Sequence, residues 1–257
     1  MIKLNGEKVP VTVFPDGTHQ VWKLTDSQMN YASTSQEVEV FWDFENQSEV
    51  FDVMQLANLL TSIEDGWQKS LVLNCPYLPY GRQDKLITNK SCFALNTFIF
   101  NAMSSFHIIR TVDAHNIELF RYSSIIVENT FPIDVINSII SNENVDLIVF
   151  PDKGAAERYE EFVPEGIKFI SAEKTRDQLT GAILGITIDS EAVSEASNVL
   201  VWDDICDGGA TFISLASHFK PTQKLMLYVS HGIFSKGTGC LFSAGYNKLF
   251  TRNGEVR

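Results

Sequence analysis

The sequence has few cysteines, few positive charges and no long apolar run. Its four cysteines, Cys75, Cys92, Cys206 and Cys240, lie far apart and form no C-x-x-C pair. This spacing argues against a disulfide framework and against a structural zinc site, and it indicates a reducing cytoplasm.

Basic residues are outnumbered by acidic ones. The chain has 20 lysines and arginines against 32 aspartates and glutamates, so its formal net charge is −12. Because sequence-independent binding of nucleic acid depends on basic side chains that neutralise phosphates, we expect no nucleic-acid partner. A phosphorylated ligand must instead be captured by a local cluster of positive charge.

The apolar runs are all shorter than the roughly 20 residues that a helix needs to cross a bilayer. The first residues, MIKLNGE, also lack the apolar core of a signal peptide. We therefore expect a soluble, cytoplasmic protein with no membrane partner.

What the chain does contain is a regular alternation of short β-rich runs and segments of helical period. Apolar residues recur every three or four positions within Val53–Ile63, Leu95–Phe106 and Phe212–Phe219, which indicates helices. The alternation is typical of an α/β protein with a largely parallel sheet covered by helices on both faces. We predict strands at Val11–Phe14, Glu37–Trp42, Leu71–Cys75, Ile108–Val112, Ile125–Val127, Val145–Phe150, Lys168–Ser171, Val199–Trp202 and Leu225–Ser230.

This pattern occurs twice along the chain. Each half has a buried strand followed by a loop rich in charge or glycine, at Pro76–Lys85 and at Asp203–Thr211. Near Thr130, the segment ENTFPID combines a candidate helix N-cap with a proline early in a helix. We therefore predict two domains, residues 1–130 and 131–257.

The segment VWDDICDGGAT, Val201–Thr211, joins a predicted strand to a helix that we expect from Phe212 onward. Unpaired backbone amides in such a loop and in the first helical turn bind anions. Gly208 and Gly209 would let the backbone approach a phosphate closely. Carboxylates beside such a site can accept hydrogen bonds from sugar hydroxyls or hold Mg²⁺, so the segment suggests a sugar phosphate as ligand.

Two further loops carry charge at the ends of predicted strands. In PYLPYGRQDK, Arg82 offers a planar fork to phosphate oxygens and Lys85 a mobile point charge. VFPDKGAAERY repeats the arrangement, with the strand Val145–Phe150 followed by Asp152 and a helix that bears Arg158.

Purely structural interpretations of these motifs remain open. Asp207 could be a helix N-cap and the glycines only turn residues. Asp113 and His115, at the end of a predicted strand in TVDAHNIELF, are as consistent with a structural role as with a ligand site. Lys174 and Arg176, in SAEKTRDQLTG, are by themselves typical of a solvated loop.

Taken together, the motifs resemble those of the ribose-phosphate pyrophosphokinases, also called phosphoribosyl pyrophosphate synthetases. FPDGT, PYLPYGRQDK, VDAHN, FPDKGAAER, EKTRD, WDDICDGGAT and SHGIFS are similar to that family's motifs in their order, over about Phe14–Ser235. The resemblance implies two α/β domains of phosphoribosyltransferase-like fold, with largely parallel sheets flanked by helices. It also implies transfer of the diphosphoryl group of ATP to the C1 hydroxyl of ribose 5-phosphate, which gives phosphoribosyl pyrophosphate and AMP.

The resemblance also implies a set of site residues, Mg²⁺ as cofactor, and a homo-oligomer, either a dimer or a hexamer. The implied catalytic residues are Lys174, Arg176 and His115, and the implied metal-binding residues are His115 and Asp152. The implied ATP-binding residues are Phe14, Asp16, Arg82, Gln83 and Asp84. The implied ribose 5-phosphate-binding residues are Asp203, Asp204, Asp207, Gly208, Gly209, Ala210 and Thr211.

The chain departs from the family pattern at two positions. Thr18 stands where the first motif usually ends in an acid, and Ala210 adds a methyl group to a loop that usually reads T-G-G-T. Two alternatives to an active diphosphokinase follow. One is a catalytically silent partner that binds or regulates a synthetase, and the other is a type I phosphoribosyltransferase, against which the ATP-type motif PYLPYGRQDK argues.

Overall fold

A computed structural model describes residues 1–63, 69–176 and 183–256. The chain divides into two compact units, Met1–Phe131 (unit 1) and Pro132–Arg257 (unit 2). Each unit has a hydrophobic core of its own, built on the strands of its own sheet. Among the described residues, no helix is both long and apolar enough to cross a membrane.

The strands of unit 1 are β1 Ile2–Leu4, β2 Glu7–Lys8, β3 Val11–Val13, β4 His19–Val21, β5 Glu37–Trp42, β6 Ser70–Asn74, β7 Ile108–Val112 and β8 Ile126–Thr130. Six of them form a sheet in the order β2-β1-β5-β6-β7-β8. Strands β5 to β8 run parallel, while β1 is antiparallel to both of its neighbours. The α-helices are α1 Asp26–Thr34, α2 Ser48–Ser62 and α3 Ala94–Thr97; a π-helical turn Phe98–Ala102 follows α3, and a 3-10 helix spans Glu118–Tyr122.

The parallel strands of unit 1 follow one another in sequence order, which decides where the helices lie. Right-handed crossovers that always step in one direction place successive helices on one face of a sheet. Accordingly, Val53 and Leu56 of α2 and Leu95 of α3 belong to the same buried cluster as Val38 and Val40 of β5.

The opposite face of this sheet is polar. Arg110 of β7 bonds to Glu128 of β8 at 2.8 Å and to Glu39 of β5 at 2.5 Å, and Asn74 of β6 donates to Glu39 at 3.2 Å. Glu128 and Glu37 are each 47% exposed. The expectation that both sheet faces are covered is therefore wrong for this face of unit 1, because the one-directional strand order brings its helices to the other side.

The strands of unit 2 are β9 Leu147–Phe150, β10 Lys168–Ser171, β11 Glu173–Arg176, β12 Ile183–Thr187, β13 Asn198–Cys206, β14 Lys224–Gly232, β15 Lys248–Thr251 and β16 Gly254–Val256. Six of them form a sheet in the order β10-β9-β13-β14-β15-β16, parallel except for the antiparallel edge strand β16. The other two, β11 and β12, pair as a separate antiparallel hairpin. The helices are α4 Ile133–Asn142, α5 Lys153–Tyr159, α6 Ser190–Glu195, α7 Ala210–Ala216 and α8 Gly239–Ala244, with a 3-10 helix at Glu160–Phe162.

The strand order of unit 2 reverses direction between two neighbours, β9 and β13. The chain leaves β9 through α5 toward β10 on one side, and leaves β13 through α7 toward β14 on the other. The helices accordingly lie on opposite faces: Tyr159 of α5 stacks on Trp202 at 4.7 Å, whereas Phe212 of α7 packs in the cluster that contains Val201. Ligands of α/β proteins bind at the carboxyl ends of strands at such a switch point.

Candidate active site

The RQD motif of unit 1 lies in the long loop that follows β6. Gln83 donates its backbone N–H to Tyr80 O at 2.8 Å, which closes a turn, and accepts from the N–H of Leu95 at 3.2 Å. Tyr80 has a positive φ of 63° and donates its hydroxyl to Gln47. Arg82 and Gln83 are exposed and so can reach a ligand in solvent.

The VDAHN motif follows the neighbouring strand β7. Asp113 is fully buried at φ 45°, and its N–H donates to Thr130 O at 2.8 Å. The N–H of Ala114 donates to the side chain of Asn129 at 3.0 Å. These two bonds to the end of β8 hold the turn that presents His115, which is partly buried.

The structure brings these two motifs together. Asn116 donates its side-chain amide to Asp84 Oδ2 at 2.8 Å. A methyl group placed on Gly81 would lie 3.4 Å from His115 Cβ, so the backbone of one loop packs on the side chain of the other. The carboxyl ends of β6 and β7 therefore form one surface that carries Arg82 and His115.

The first-motif residues, Phe14 and Asp16, lie in the turn that joins β3 to β4. The turn is closed by the N–H of Phe14, which donates to Thr18 O at 2.8 Å. Thr18 donates both its hydroxyl, at 2.7 Å, and its N–H, at 3.0 Å, to Asp16 Oδ1. These two bonds lower the pKa of Asp16, so its carboxylate keeps its charge, and the Thr18 hydroxyl is already used to orient it.

Helix α2 fixes the position of the β3–β4 hairpin. His19 Nδ1 lies 3.0 Å from Asp52 Oδ2. Gln55 accepts from the N–H of Val21 at 3.1 Å and donates to His19 O at 3.0 Å. The hairpin that carries Phe14 and Asp16 is thus tied to the helix at three points.

In unit 2, β13 extends four residues beyond Trp202, where we predicted it to end. Asp203 and Asp204 therefore lie inside a strand, paired with β14, rather than in the loop. Neighbouring residues of a strand point to opposite faces of the sheet. Asp204 points toward α5, where Arg158 Nη1 lies 3.1 Å from its Oδ2, and the carboxyl is only 6% exposed.

Three carboxylates crowd the switch point of unit 2. Burial raises the pKa of Asp203 well above its usual range, and the charges of Asp204 and Asp152 raise it further. Asp152 is the N-cap of α5 and accepts from the N–H of Ala155 at 3.1 Å. The cluster therefore combines Asp204, which is paired with Arg158, and Asp203, which retains its proton more readily than an ordinary aspartate.

The glycine loop itself differs from expectation in two ways. The helix begins at Ala210 with Gly209 as its N-cap, so the hypothesis that Asp207 is the cap is wrong, as is a helix start at Phe212. Gly209 has φ 75°, and a methyl group on it would lie 3.2 Å from Leu241. This glycine is therefore required by the turn and by packing, while Asp207 and Ala210 are exposed.

One residue near the loop has no place in the sequence-based site. Lys236 lies with its side chain over Gly208, where the Cε atom is 3.5 Å from the position of an added methyl group. The quoted motif SHGIFS ends one residue earlier, and an isolated lysine after it carries no signal of its own. The sequence likewise predicts only that Arg158 lies on a helix, because its partner Asp204 is 46 residues away.

Lys174 and Arg176 belong to β11 rather than to a loop. Their backbones pair with Ile186 and Ile183 of β12, and the register shifts between Thr175 and Arg176. The structure describes these two residues through their backbone, and residues 177–182 of the expected catalytic loop lie outside the described part of the chain.

Curated proteins with sequences similar to this chain share one name. The chain is 26% identical over 189 residues to a ribose-phosphate pyrophosphokinase of Pyrococcus abyssi, an alignment that covers 72% of the chain and 65% of that protein. It is 28% identical over 194 residues to one of Thermococcus kodakarensis, covering 74% of the chain and 68% of that protein. The chain is therefore similar in sequence to ribose-phosphate pyrophosphokinases.

The fold is also similar to that of a solved structure. A crystal structure of phosphoribosylpyrophosphate synthetase from Mycobacterium smegmatis superposes with a TM-score of 0.72, at 16% identity, over 94% of the chain and 78% of that protein. The predicted fold class, largely parallel α/β sheets flanked by helices, is thereby confirmed. No family model matches the chain. In the sequence alignments, the chain spans 65% of the length of the Pyrococcus abyssi protein and 65% of that of a ribose-phosphate pyrophosphokinase from Thermoplasma volcanium.

Proposed function

We propose that the chain is a ribose-phosphate diphosphokinase. It transfers the diphosphoryl group of ATP to the C1 hydroxyl of ribose 5-phosphate and releases phosphoribosyl pyrophosphate and AMP. The observation that carries the proposal is the position of DDICDGGAT and Asp152 at the switch point of unit 2, in a relative of enzymes named for this reaction.

Unit 1 binds the nucleotide in this account. Arg82, Gln83 and Asp84 contact ATP, and the hydrogen bond from Asn116 fixes the direction in which Asp84 points. Phe14 and Asp16 contact the nucleotide from the β3–β4 turn, and the lowered pKa of Asp16 keeps it an acceptor for an exocyclic amine.

Unit 2 binds the sugar phosphate. The backbone and hydroxyl donors of the loop contact the 5-phosphate, and the two carboxylates of β13 contact the sugar hydroxyls. Asp204, paired with Arg158, accepts a hydrogen bond, whereas Asp203 can donate one when it retains its proton. The loop residues are Asp207, Gly208, Gly209, Ala210 and Thr211.

The residues also fit Mg²⁺. Among the described residues, no group of three or more His, Cys, Asp or Glu side chains is arranged to hold a metal ion. Mg²⁺ in phosphoryl-transfer sites needs only one or two carboxylates beside phosphate oxygens and water. His115 in unit 1 and Asp152 in unit 2 are each proposed as a contact for Mg²⁺ bound with phosphate, and such an ion would neutralise phosphate charge.

The transfer itself requires little covalent help from the protein. The C1 oxygen forms a bond to the β-phosphorus while the bond from that phosphorus to the α,β-bridging oxygen breaks. The electron pair of the broken bond stays on AMP, and the hydroxyl proton leaves to solvent or a base. Lys174 and Arg176, both in β11, neutralise the charge that spreads over the transferred group.

The direct test is incubation of the purified protein with Mg-ATP and ribose 5-phosphate. We expect AMP and phosphoribosyl pyrophosphate in equal amounts, and neither when one substrate is omitted. Arg82→Ala should lose affinity for Mg-ATP. Arg121→Ala, which changes another exposed arginine of unit 1, is its control. Absence of both products at all phosphate and Mg²⁺ concentrations would contradict the proposal and favour a silent partner, and consumption of added phosphoribosyl pyrophosphate with a base would favour a phosphoribosyltransferase.

A further inference from the structure

The chain after β14 forms a tight turn that ends beside the glycine loop. The N–H of Gly237 donates to Phe234 O at 2.7 Å, and both residues have positive φ, 73° and 46°. The turn therefore has a defined shape, and Lys236 is one of its two central residues.

The turn is attached to the glycine loop through the backbone. The carbonyl of Cys206 accepts from the N–H of Ile233 at 2.8 Å and from that of Phe234 at 3.1 Å. Gly232 makes this possible, because any side chain there would meet the Phe234 ring, which lies 2.1 Å from the position of an added methyl group. The turn and the glycine loop are thus held together by backbone hydrogen bonds.

This attachment lays the aliphatic part of Lys236 across Gly208. Its Cε, Cδ and Cγ atoms lie 3.5, 3.6 and 3.9 Å from the position of a methyl group on that glycine. Lysine commonly packs its stem on a surface in this way and keeps its ammonium group in water. The residue is exposed, and no ion pair or hydrogen bond involves its ammonium group within the described part of the chain.

A cation in this place matters because the surroundings are acidic. The chain has a net charge of −12, Asp207 belongs to the loop itself, and Arg158 is already paired with Asp204. A phosphate dianion at the loop therefore needs a positive charge that these groups do not supply.

We propose that Lys236 binds the phosphate group of the ligand held by the loop Asp207–Thr211, which makes it a binding residue for the sugar phosphate. The inference rests on the proposed function, because it takes ribose 5-phosphate as that ligand. The turn fixes the backbone of Lys236 before the ligand arrives, so binding loses little backbone conformational entropy at this residue.

The test is calorimetric titration of the full chain with ribose 5-phosphate and, separately, with inorganic phosphate. Lys236→Met should weaken ribose 5-phosphate binding about tenfold, equivalent to about 1.4 kcal/mol, and reduce its dependence on salt. Lys236→Arg should retain most of the affinity. Lys220→Met is the matched control, because Lys220 is an exposed lysine of unit 2 beyond the far end of α7.

The outcomes separate this inference from the proposed function. If the wild type and Lys236→Met bind ribose 5-phosphate equally, Lys236 has no such role and the proposed function stands. If inorganic phosphate binds in a Lys236-dependent way but ribose 5-phosphate does not bind, the proposed substrate is wrong and the anion site is supported. If the wild type binds neither, both proposals are overturned.

Discussion

Units 1 and 2 share a largely parallel sheet, yet they present their functional loops in different ways. In unit 1 the strands follow in order, and Arg82 and His115 project from two adjacent strand ends onto one open surface. In unit 2 the order reverses at β9 and β13, so the loops that carry Asp152 and Asp207 diverge to opposite faces of the sheet. The difference teaches that strand order, more than composition, decides whether strand ends form a flat surface or a crevice.

This contrast fits the two proposed ligands. An extended nucleotide can lie along an open surface held by a few long side chains, whereas a compact sugar phosphate needs donors on several sides. It also predicts that substitutions in unit 2 act through close packing, while those in unit 1 act mainly through individual contacts.

The largest expected effect is on the catalytic rate. Lys174→Ala should lower kcat by on the order of a hundredfold or more and change KM for either substrate little, because a charge that acts mainly on the transition state contributes about 3 kcal/mol. Steady-state kinetics measure this. Lys168→Ala, on the preceding strand β10, is the control. A near-normal kcat for Lys174→Ala would mean that β11 has only a structural role.

Packing around the unit 2 loop can be tested at Gly232. Gly232→Ala places a methyl group on the Phe234 ring and should lower the free energy of unfolding by about 1–3 kcal/mol. The turn that carries Lys236 should shift, so ribose 5-phosphate binding weakens while Mg-ATP binding persists. Gly239→Ala is the control, since nothing lies within 4 Å of its added methyl group. Equal stability of the two variants in urea titrations would contradict this packing.

A smaller effect on stability is expected from Asp203, a partly buried carboxyl of β13. The folded state raises the pKa of Asp203, so it binds a proton more tightly than the unfolded state does. Stability is therefore lost as the pH rises from the usual aspartate pKa through the raised one. Asp203→Asn should stabilise the fold at pH 7 by on the order of 1 kcal/mol, and the gain should vanish below pH 4.

Denaturation at several pH values measures this difference. Asp207→Asn, an exposed residue of the same segment, should change stability little at any pH. A gain for Asp203→Asn that does not depend on pH would mean that its charge is not the cause. The same variant should lose affinity for ribose 5-phosphate, because a proposed contact to a sugar hydroxyl is altered.

The smallest effect concerns unit 1. Thr18→Glu should raise the preference for ATP over GTP, by about threefold, because a charged acceptor for an exocyclic amine is added. Thr18→Val is the control that removes the hydroxyl bond to Asp16 without adding charge. Ratios of kcat/KM for the two nucleotides decide the matter, and an unchanged ratio would exclude Thr18 from base recognition.

Much of the fold could be predicted from hydrophobic pattern. The strands Glu37–Trp42, Ile108–Val112 and Lys168–Ser171 have the predicted bounds, because each is a short β-rich run. The short or polar strands β1, β11 and β16 were missed, since their residues show no alternation long enough to recognise.

The errors in the site have a common physical cause. Two adjacent aspartates at Asp203 and Asp204 look like the start of a loop, yet the strand continues through both, and Arg158 of a distant helix pairs with Asp204. Lys236 reaches Gly208 through backbone bonds between separate segments. Such long-range contacts leave no periodic signal, whereas Asp84 and His115 could be singled out because each lies in a recognisable motif.

The central claim is that unit 1 binds the nucleotide and unit 2 the sugar phosphate, and two titrations of two variants test it most directly. Arg82→Ala should lose affinity for Mg-ATP and keep affinity for ribose 5-phosphate, and Thr211→Val should do the reverse. If either variant, with its fold intact, loses both ligands equally or loses only the other unit's ligand, this assignment is contradicted.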